Sequence, residues 1–487
     1  STTVSFMLAT GQYHTVFLAG ILLALLVTVG SPARADRVKL LYLDAEASQA
    51  RVDLIRQAKS ELYISYFVVR DDAASLSGFV LLLDAAERGV RVRVLVDSFH
   101  LDVGMPYLKA MASHPNIEIR VYNRVSIFHL LRAFKRNHEK IILADNIHTD
   151  GFNYLTGGRN VSDKYFGFGE GRNFNDLDIY VYGDSALVAR DRYFLELWNS
   201  ELVSALSQGA YSDHRLDSRR CPRAKKEDDV CSRQITRRLA RYKRALQAIE
   251  SRKRAMIAGE ASGIDWHLDG RWDLAARDVG EVRFLFDPPH ERKSECGIAA
   301  DIYETVVSDH GIREIVILSP YVILTSRGAK MLEVLRKRDV AITLITNSRN
   351  STDNLLAQAG YANDRQWLLD QGIRVHHFIG PDTMHAKALL INDGTSALIG
   401  SYNFDPRSAG LNREIGAHFR PVNDSSGYVI KEIKQMTDYY RSRSRLIGPD
   451  GVPVGSDSAH PDSPLWKKFT LGILRPFVAI PIVRKNL

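Results

Sequence analysis

Two short histidine–lysine motifs carry the chemistry that this chain can do. The first holds His138 and Lys140, and the second holds His385 and Lys387, each with one residue between its members. Imidazole can act as a nucleophile or as a general acid near neutral pH. A lysine ammonium beside it can stabilise the negative charge that develops at an attacked phosphorus. Together these residues predict an enzyme that breaks phosphodiester bonds.

Both motifs are trailed by the same further features. Each leads to a small-residue turn that ends in asparagine. The turn residues are Gly157, Gly158, Arg159 and Asn160 in the first copy and Gly400, Ser401, Tyr402 and Asn403 in the second. Glycine in such a turn lets a phosphate approach the backbone closely. We therefore predict that the substrate is bound by Gly158, Asn160, Ser401 and Asn403.

Carboxylates near each turn are candidates for holding the imidazoles in a reactive tautomer. They are Asp176 or Asp178 in the first half and Glu414 in the second. A polar residue also follows each lysine by five positions, and we expect both of these residues, Asp145 and Asn392, to be structural. The first turn is the longer one, and we expect its extra residues at 148–153 to alter the rim of the site.

Strand and helix patterns recur in the same order in the two halves. The segments are 48–60, 62–67, 78–88, 90–97 and 117–122 in the first half and 299–308, 315–319, 328–337, 340–347 and 373–378 in the second. Helical segments alternating with β-branched runs favour βαβ units and a mainly parallel sheet. Because the repeat is long, it predicts two homologous α/β domains in tandem.

The net charge of +8 is concentrated between the halves. Residues 215–254 hold 15 Lys/Arg and 5 Asp/Glu, so the rest of the chain is close to neutral. This pattern excludes a basic surface spread over the whole protein. Residues 235–254 are expected to form a cationic helix, which either binds anionic lipid or nucleic acid or is simply a solvated surface.

The N-terminal residues 1–35 resemble a secretory leader or a membrane anchor. An apolar run at 16–29 is followed by Ala33-Arg34-Ala35, which is typical of a cleaved signal peptide. The run is short for a membrane span, so cleavage is the favoured reading. In an oxidising compartment Cys221 and Cys231 can form a disulfide, which leaves Cys296 unpaired. No cysteine spacing suggests a metal site.

The C-terminal residues 446–487 lose the sheet pattern. They end in an apolar run with interspersed Lys and Arg, interrupted by Pro476 and Pro481. Such a tail is expected either to lie in a membrane interface or to pack against the body.

The twin motifs resemble those of the phospholipase D superfamily, over about residues 38–420. Within it, the run from Gly157 to Phe166 with the following Asp176-Leu177-Asp178 resembles bacterial cardiolipin synthases, particularly their C-type branch. Asn392 departs from the pattern, which has aspartate there. The resemblance implies tandem α-β-α domains related by a pseudo-twofold axis, with the active site at their interface. The expected divisions are a signal peptide or anchor at 1–35, the first domain at 36–205, a basic helical linker at 206–280, the second domain at 281–445 and an amphipathic tail at 446–487.

The resemblance also implies the residue roles. His138 would attack phosphorus and His385 would protonate the leaving alcohol. Lys140, Lys387, Asn160 and Asn403 would grip the phosphate, and Asp176 and Glu414 would orient the histidines. No cofactor or metal is expected.

The implied activity is transfer of a phosphatidyl group to phosphatidylglycerol at a membrane surface, with phosphatidylethanolamine as a possible donor. Phospholipid hydrolysis to phosphatidic acid and a secreted nuclease are the alternatives. Nucleic acid is the less favoured substrate, and the sequence identifies no protein partner. The leader implies export to the periplasm or to the periplasmic face of the bacterial inner membrane.

Overall fold

A computed structural model describes residues 35–98, 104–123, 135–206, 230–261, 263–289, 297–422, 426–454 and 464–487. The leader, apart from Ala35, lies outside the described residues, as do the side chains of Cys221, Cys231 and Cys296. Cleavage of the leader and the Cys221–Cys231 disulfide therefore stay predictions.

The first half is built on a nine-stranded sheet. Its strands and the short β7 are β1 (Asp36–Leu41), β2 (Ala58–Tyr66), β3 (Arg91–Asp97), β4 (Ile117–Tyr122), β5 (Lys140–Asn146), β6 (Phe152–Gly157), β7 (Phe174–Asn175), β8 (Asp178–Tyr182), β9 (Val203–Ala205) and β10 (Arg277–Gly280). Its helices are α1 (Asp44–Arg56), α2 (Ala73–Glu87), α3 (Met105–Ala112), α4 (Ser185–Val188) and α5 (Leu195–Trp198), the last two joined by a π-helix at Ala189–Phe194. The sheet order is β10-β1-β8-β6-β5-β2-β3-β4-β9. The edge strand β10 lies within residues 206–280, which were predicted from the sequence to form the linker.

The second half repeats this plan around an eight-stranded sheet. Its strands and the short β15 are β11 (Val282–Phe286), β12 (Glu314–Leu318), β13 (Ala341–Asn347), β14 (Arg374–Phe378), β15 (Thr383–Met384), β16 (Ala388–Ile391), β17 (Ser396–Gly400), β18 (Ile415–Phe419) and β19 (Ser444–Leu446). The remaining helices are α6 (Val230–Ile257), α7 (Trp272–Ala275), α8 (Ile298–Ser308), α9 (Ser326–Lys337), α10 (Leu355–Asp370), α11 (Pro406–Gly410), α12 (Ser426–Ser442), α13 (Leu465–Ala479) and α14 (Pro481–Arg484). The sheet order is β11-β18-β17-β16-β12-β13-β14-β19.

The prediction of a mainly parallel sheet is wrong, whereas the α/β fold with two repeats is confirmed. Within the two large sheets, the described strands run parallel only in β2-β3-β4 and β12-β13-β14. After these strands the chain folds into the hairpins β5–β6 and β16–β17, whose strands pair antiparallel. A tight hairpin can join only antiparallel strands, and these two hairpins follow the histidine motifs.

The two sheets share a core. Tyr154 and Leu143 of the first sheet belong to the same buried cluster as Ile399 and Ala417 of the second. The outer face of the first sheet is covered by α1, α2 and α3, and that of the second by α8, α9 and α10. Because apolar surface is buried between the sheets, residues Asp36–Leu487 form one compact unit.

The cationic helix α6 is longer than expected and is partly packed. Ile249 and Met256 are buried in the core on the outer face of the first sheet. Arg252 Nε donates to Ser77 Oγ at 2.8 Å, and Lys253 pairs with Glu87 at 2.9 Å. One side of the helix therefore belongs to the first half.

The C-terminal helix α13 packs on α10. Leu471 and Val478 are buried against Ala359. Pro476 lies inside the helix and does not end it, whereas Pro481 starts α14. Among the described helices, none combines the length and the apolar character needed to cross a membrane.

Candidate active site

The first histidine contacts a carboxylate from the other half of the chain. Nδ1 of His138 lies 2.9 and 3.1 Å from the two carboxylate oxygens of Glu414. The histidine is 8% exposed and Glu414 is fully buried. An ionised carboxylate accepts the Nδ1–H, so Nε2 keeps its lone pair for attack on an electrophile.

The second histidine is held in the reciprocal way. Nδ1 of His385 lies 2.6 Å from Oδ2 of Asp176, whose Oδ1 accepts a 2.8 Å hydrogen bond from the Leu177 amide. Of the two candidate aspartates, it is Asp176 that contacts a histidine. Asp178 instead accepts hydrogen bonds from two buried arginines, Arg51 and Arg159, at 2.9 and 3.0 Å.

Backbone hydrogen bonds between the halves fix both crossed pairs. The His138 amide donates to the carbonyl of Arg413 at 3.0 Å, and the His385 amide donates to that of Asn175 at 2.6 Å. In each case the acceptor immediately precedes the carboxylate that the same imidazole contacts. The parallel pairing of β7 with β15 adds to the second bridge. The internal repeat thus builds the same half-site twice.

Glu414 is further held by two serines. Ser401 Oγ donates to Oε2 at 2.5 Å and Ser408 Oγ donates to Oε1 at 2.7 Å. The Glu414 amide donates to Asp287 at 2.8 Å. Ser401, predicted to bind substrate, therefore contacts the carboxylate behind the histidine. Ser408 and Asp287 were missed because they lie outside both motifs and become neighbours of Glu414 only through the fold.

The two lysines are almost fully buried. Lys140 Nζ donates to the His138 carbonyl at 2.5 Å, and Lys387 Nζ lies 2.8 Å from Nδ1 of His385. Burial lowers the pKa of Lys140 to about 7 and that of Lys387 to about 8, while nearby carboxylates act in the opposite direction. Both groups are therefore poised to lose their charge near neutral pH, and a bound phosphate would favour the charged form.

The histidines are held neutral in the same way. Burial lowers the pKa of His138 to about 3, against the opposing effect of Glu414. Burial and the neighbouring Lys387 also lower the pKa of His385. Burial alone would raise the pKa of the Asp176 carboxyl, but His385 and Lys387 outweigh it and the net direction is downward. A neutral imidazole that donates to an ionised carboxylate satisfies both members of this coupled pair.

The two asparagines lie at equivalent places but are held differently. Asn160 Oδ1 accepts from the Val68 amide at 3.2 Å, and Nδ2 donates to the Tyr165 hydroxyl at 2.9 Å. The side-chain oxygen position of Asn403 is buried and has no hydrogen-bond partner in the described structure. Because rotating an amide by 180° exchanges its oxygen and nitrogen, this position can present a donor to a phosphate oxygen.

The absence of a side chain at the turn glycines leaves room for neighbouring protein atoms. A Cβ at Gly158 would overlap the Asp176 carboxylate, and a Cβ at Gly400 would overlap the Ile415 carbonyl. The neighbouring strand and a histidine-orienting carboxylate therefore give a steric reason for glycine at these positions, and the close approach of a phosphate stays a prediction.

The structural residues Asp145 and Asn392 hold equivalent backbone segments. Asp145 accepts from the amides of Lys59, Ser60 and Glu61, at the irregularity where β5 pairs with β2. Asn392 Oδ1 accepts from the Arg313 and Glu314 amides at 2.7 and 3.1 Å. The side-chain amide of Asn392 also donates to the Gly311 carbonyl at 3.0 Å. Asparagine therefore holds the preceding backbone segment here, as Asp145 does in the first half.

The longer first turn lies away from the histidines. It connects β5 to β6 at the end opposite His138, roughly 20 Å along the strand. His148 in this turn contacts Asp269 of the connecting segment. The expectation that residues 148–153 shape the rim of the site is therefore wrong.

Aromatic rings contact both imidazoles, and their role was not predicted from the sequence. Phe67 lies edge-on to His138, with ring centroids 4.9 Å apart. Phe174, Tyr165 and Tyr321 lie 5.2, 5.3 and 6.2 Å from His385. These contacts accompany the burial of the two histidines, which are 8% and 4% exposed.

Known proteins of one family are similar to this chain. The model of the family described as cardiolipin synthase, phospholipase D-like domain, matches residues 52–198 and 309–436. The chain is 31% identical over 400 residues to cardiolipin synthase C of Escherichia coli. The alignment covers 76% of this chain and 78% of that protein. An uncharacterized protein of Helicobacter pylori is 24% identical over 404 residues, covering 76% and 73%.

A solved structure shows the same fold. Phosphatidylserine synthase of Haemophilus influenzae superposes with a TM-score of 0.61 at 14% identity, covering 93% of this chain and 97% of that chain. The family match spans both halves and includes both histidine motifs. The chain therefore belongs to the cardiolipin synthase family of phospholipase D-like proteins and is an enzyme of that superfamily.

Proposed function

We propose that this enzyme transfers a phosphatidyl group to the hydroxyl of phosphatidylglycerol through a phosphohistidine. The observation that carries the proposal is the pair of crossed histidine–carboxylate contacts, His138 with Glu414 and His385 with Asp176. They provide one imidazole with a reactive lone pair and a second with a carboxylate that stabilises its protonated form.

In the first step Nε2 of His138 attacks phosphorus and the bond to the leaving headgroup oxygen breaks. His385, which enters protonated, gives its proton to that oxygen. The negative phosphodiester favours this protonated form, against the effect of burial. Lys140 and Lys387 stabilise the charge on the non-bridging oxygens.

In the second step an acceptor hydroxyl attacks the phosphohistidine. His385 takes the hydroxyl proton while the bond between phosphorus and His138 breaks. This restores both imidazoles and leaves a new phosphodiester. With water as the acceptor the same step yields phosphatidic acid, which is the alternative activity.

Restricted water access supports transfer over hydrolysis. His138 and His385 are 8% and 4% exposed, and both imidazoles contact aromatic rings. A site that excludes bulk water favours an alcohol that the enzyme itself binds. The similarity to cardiolipin synthase C supports phosphatidylglycerol as the acceptor.

Export to the periplasmic face of the inner membrane is part of the proposal and is supported only by the sequence of residues 1–35. A fusion of this segment to a reporter that is active only outside the cytoplasm tests it. An inactive reporter would contradict export.

Product analysis tests the reaction. The purified enzyme is given phosphatidylglycerol in mixed micelles, with and without phosphatidylethanolamine. Cardiolipin with released glycerol or ethanolamine is expected and identifies the donor. Phosphatidic acid alone would make the enzyme a hydrolase. Turnover of DNA without turnover of lipid would favour the nuclease.

A further inference from the structure

The C-terminal helix is attached to the second half in a defined orientation. Leu471 and Val478 pack against Ala359 of α10. Arg484 of α14 forms an ion pair with Asp364 of α10 at 2.7 Å. These contacts fix which side of α13 faces the protein.

The opposite side of this segment exposes large apolar residues. They are Leu465, Trp466, Phe469, Ile473, Phe477, Ile480 and Ile482, each between 45% and 82% exposed. Trp466, Phe469, Ile473 and Phe477 follow one another at intervals of three and four, so they form a single stripe on α13. A contiguous apolar stripe of this kind marks an interaction surface.

The charge of the segment indicates the partner. Residues 464–487 contain five Lys/Arg and no Asp or Glu. Apolar and aromatic side chains combined with cations are typical of a helix that lies in the interface of an anionic membrane. A second copy of the same face would bring like charges together.

The segment also adjoins the active site through residues 348–354. Lys467 Nζ donates to the carbonyls of Arg349 and Asn350 at 3.4 and 3.3 Å. A few residues on, Asp353 accepts a 2.8 Å hydrogen bond from Tyr321, whose ring lies 6.2 Å from that of His385. The first turn of α13 is therefore tied to the wall of the second half-site.

We propose that α13 and α14 dock the enzyme on an anionic lipid surface through this exposed face, with the active site beside the line of contact. The inference rests on the proposed function, because it names the surface that brings the enzyme to its lipids. The binding measured below does not depend on turnover, so the two can fail separately.

Vesicle sedimentation tests the docking. The full chain is mixed with sucrose-loaded vesicles of phosphatidylcholine, with or without phosphatidylglycerol. The variant Phe469→Glu/Ile473→Glu changes two residues of the stripe. The matched control Leu274→Glu/Val422→Glu adds the same charge at two exposed apolar residues elsewhere, which are 59% and 70% exposed.

The native chain and the control are expected to bind phosphatidylglycerol vesicles, and the stripe variant to bind at least about tenfold more weakly. Salt and pure phosphatidylcholine should weaken binding. Equal binding by the stripe variant and the control would overturn the proposal. Concentration-dependent dimers that the stripe variant loses, without any vesicle binding, would show instead that a second copy covers the face.

Two further readouts separate docking from catalysis. Vesicles that contain brominated lipids should quench the fluorescence of Trp466. The native chain should therefore show more quenching than Trp466→Phe, and equal quenching of the two would contradict insertion of the stripe.

On short-chain phosphatidylglycerol below its micellar concentration, the stripe variant should turn over substrate at the native rate. Equal losses on monomers and vesicles would show catalytic damage and would refute a docking role. If no lipid is turned over at all, the sedimentation result still decides the docking.

Discussion

The carboxylate of Asp176 accepts a 2.6 Å hydrogen bond from Nδ1 of His385, although 209 positions separate them along the chain. Glu414 and His138 repeat the relationship in the opposite direction. Each half therefore orients the histidine of the other, and a single half holds an imidazole without its carboxylate. Two motifs in one chain make one site because their supporting groups are exchanged.

Replacing Asp176 by Asn is expected to lower kcat roughly a thousandfold, because an amide can stabilise the wrong imidazole tautomer and does not stabilise imidazolium. KM should change little. The control Asp393→Asn removes the same charge from an exposed side chain that pairs with Lys434, and native activity is expected. Steady-state kinetics of both variants test this role. A loss of kcat of less than tenfold in Asp176→Asn would argue against an orienting role for Asp176.

His385→Ala should trap the covalent intermediate when the substrate carries a p-nitrophenyl leaving group. Such a leaving group needs no general acid, so His138 can still attack, whereas release lacks its base. We expect a burst of about one nitrophenol per enzyme and, by mass spectrometry, an adduct on His138 that consists of the substrate without its nitrophenol. His138→Ala should show neither. A steady rate without a burst or an adduct would count against the phosphohistidine.

The pH dependence of kcat/KM should follow the two buried lysines. Burial lowers their pKa values to about 7 and 8, so raising the pH through this window removes positive charge from the free enzyme. We expect kcat/KM to begin to fall near pH 7 and to continue to fall above pH 8. Because a bound phosphate raises both pKa values, the fall in kcat should come at higher pH. Identical alkaline limits for the two parameters would contradict this assignment.

Gly158→Ala should impair catalysis through Asp176. The added methyl overlaps the Asp176 carboxylate, which must move away from its position beside His385. We expect kcat to fall at least about tenfold, since small displacements of catalytic groups have large effects. Gly78→Ala, where no atom lies within 4 Å of the added carbon, is the matched control. Equal kcat values for the two variants would disprove the steric argument.

Asn392→Asp should leave activity within about twofold of native. The oxygen that accepts from Arg313 and Glu314 is retained, and only the donor to Gly311 is lost. Asn392→Ala removes all of these bonds and should cost about 1 kcal/mol of stability, seen in denaturant unfolding. A large loss of kcat in Asn392→Asp with unchanged stability would place this residue in the chemistry.

Several features of the fold could be predicted from the sequence because they are local. The β-branched runs and helical periods located β4 at its observed bounds and most other repeated elements within a few residues. Strand direction was mispredicted because βαβ alternation accounts for only three neighbouring strands in each half. The hairpins that follow them run antiparallel, and their pairing depends on the whole sheet.

The sequence by itself determined the chemistry. Two histidine–lysine motifs, each followed by a glycine turn that ends in asparagine, indicated an enzyme of phosphodiester chemistry. Only the tertiary structure decided that Glu414 serves His138 and that Asp176, and not Asp178, serves His385. It also showed that Gly158 makes room for a carboxylate and that one face of α13 remains uncovered. These relationships join residues far apart in the chain, so they arise from the packing of the two sheets and not from local spacing.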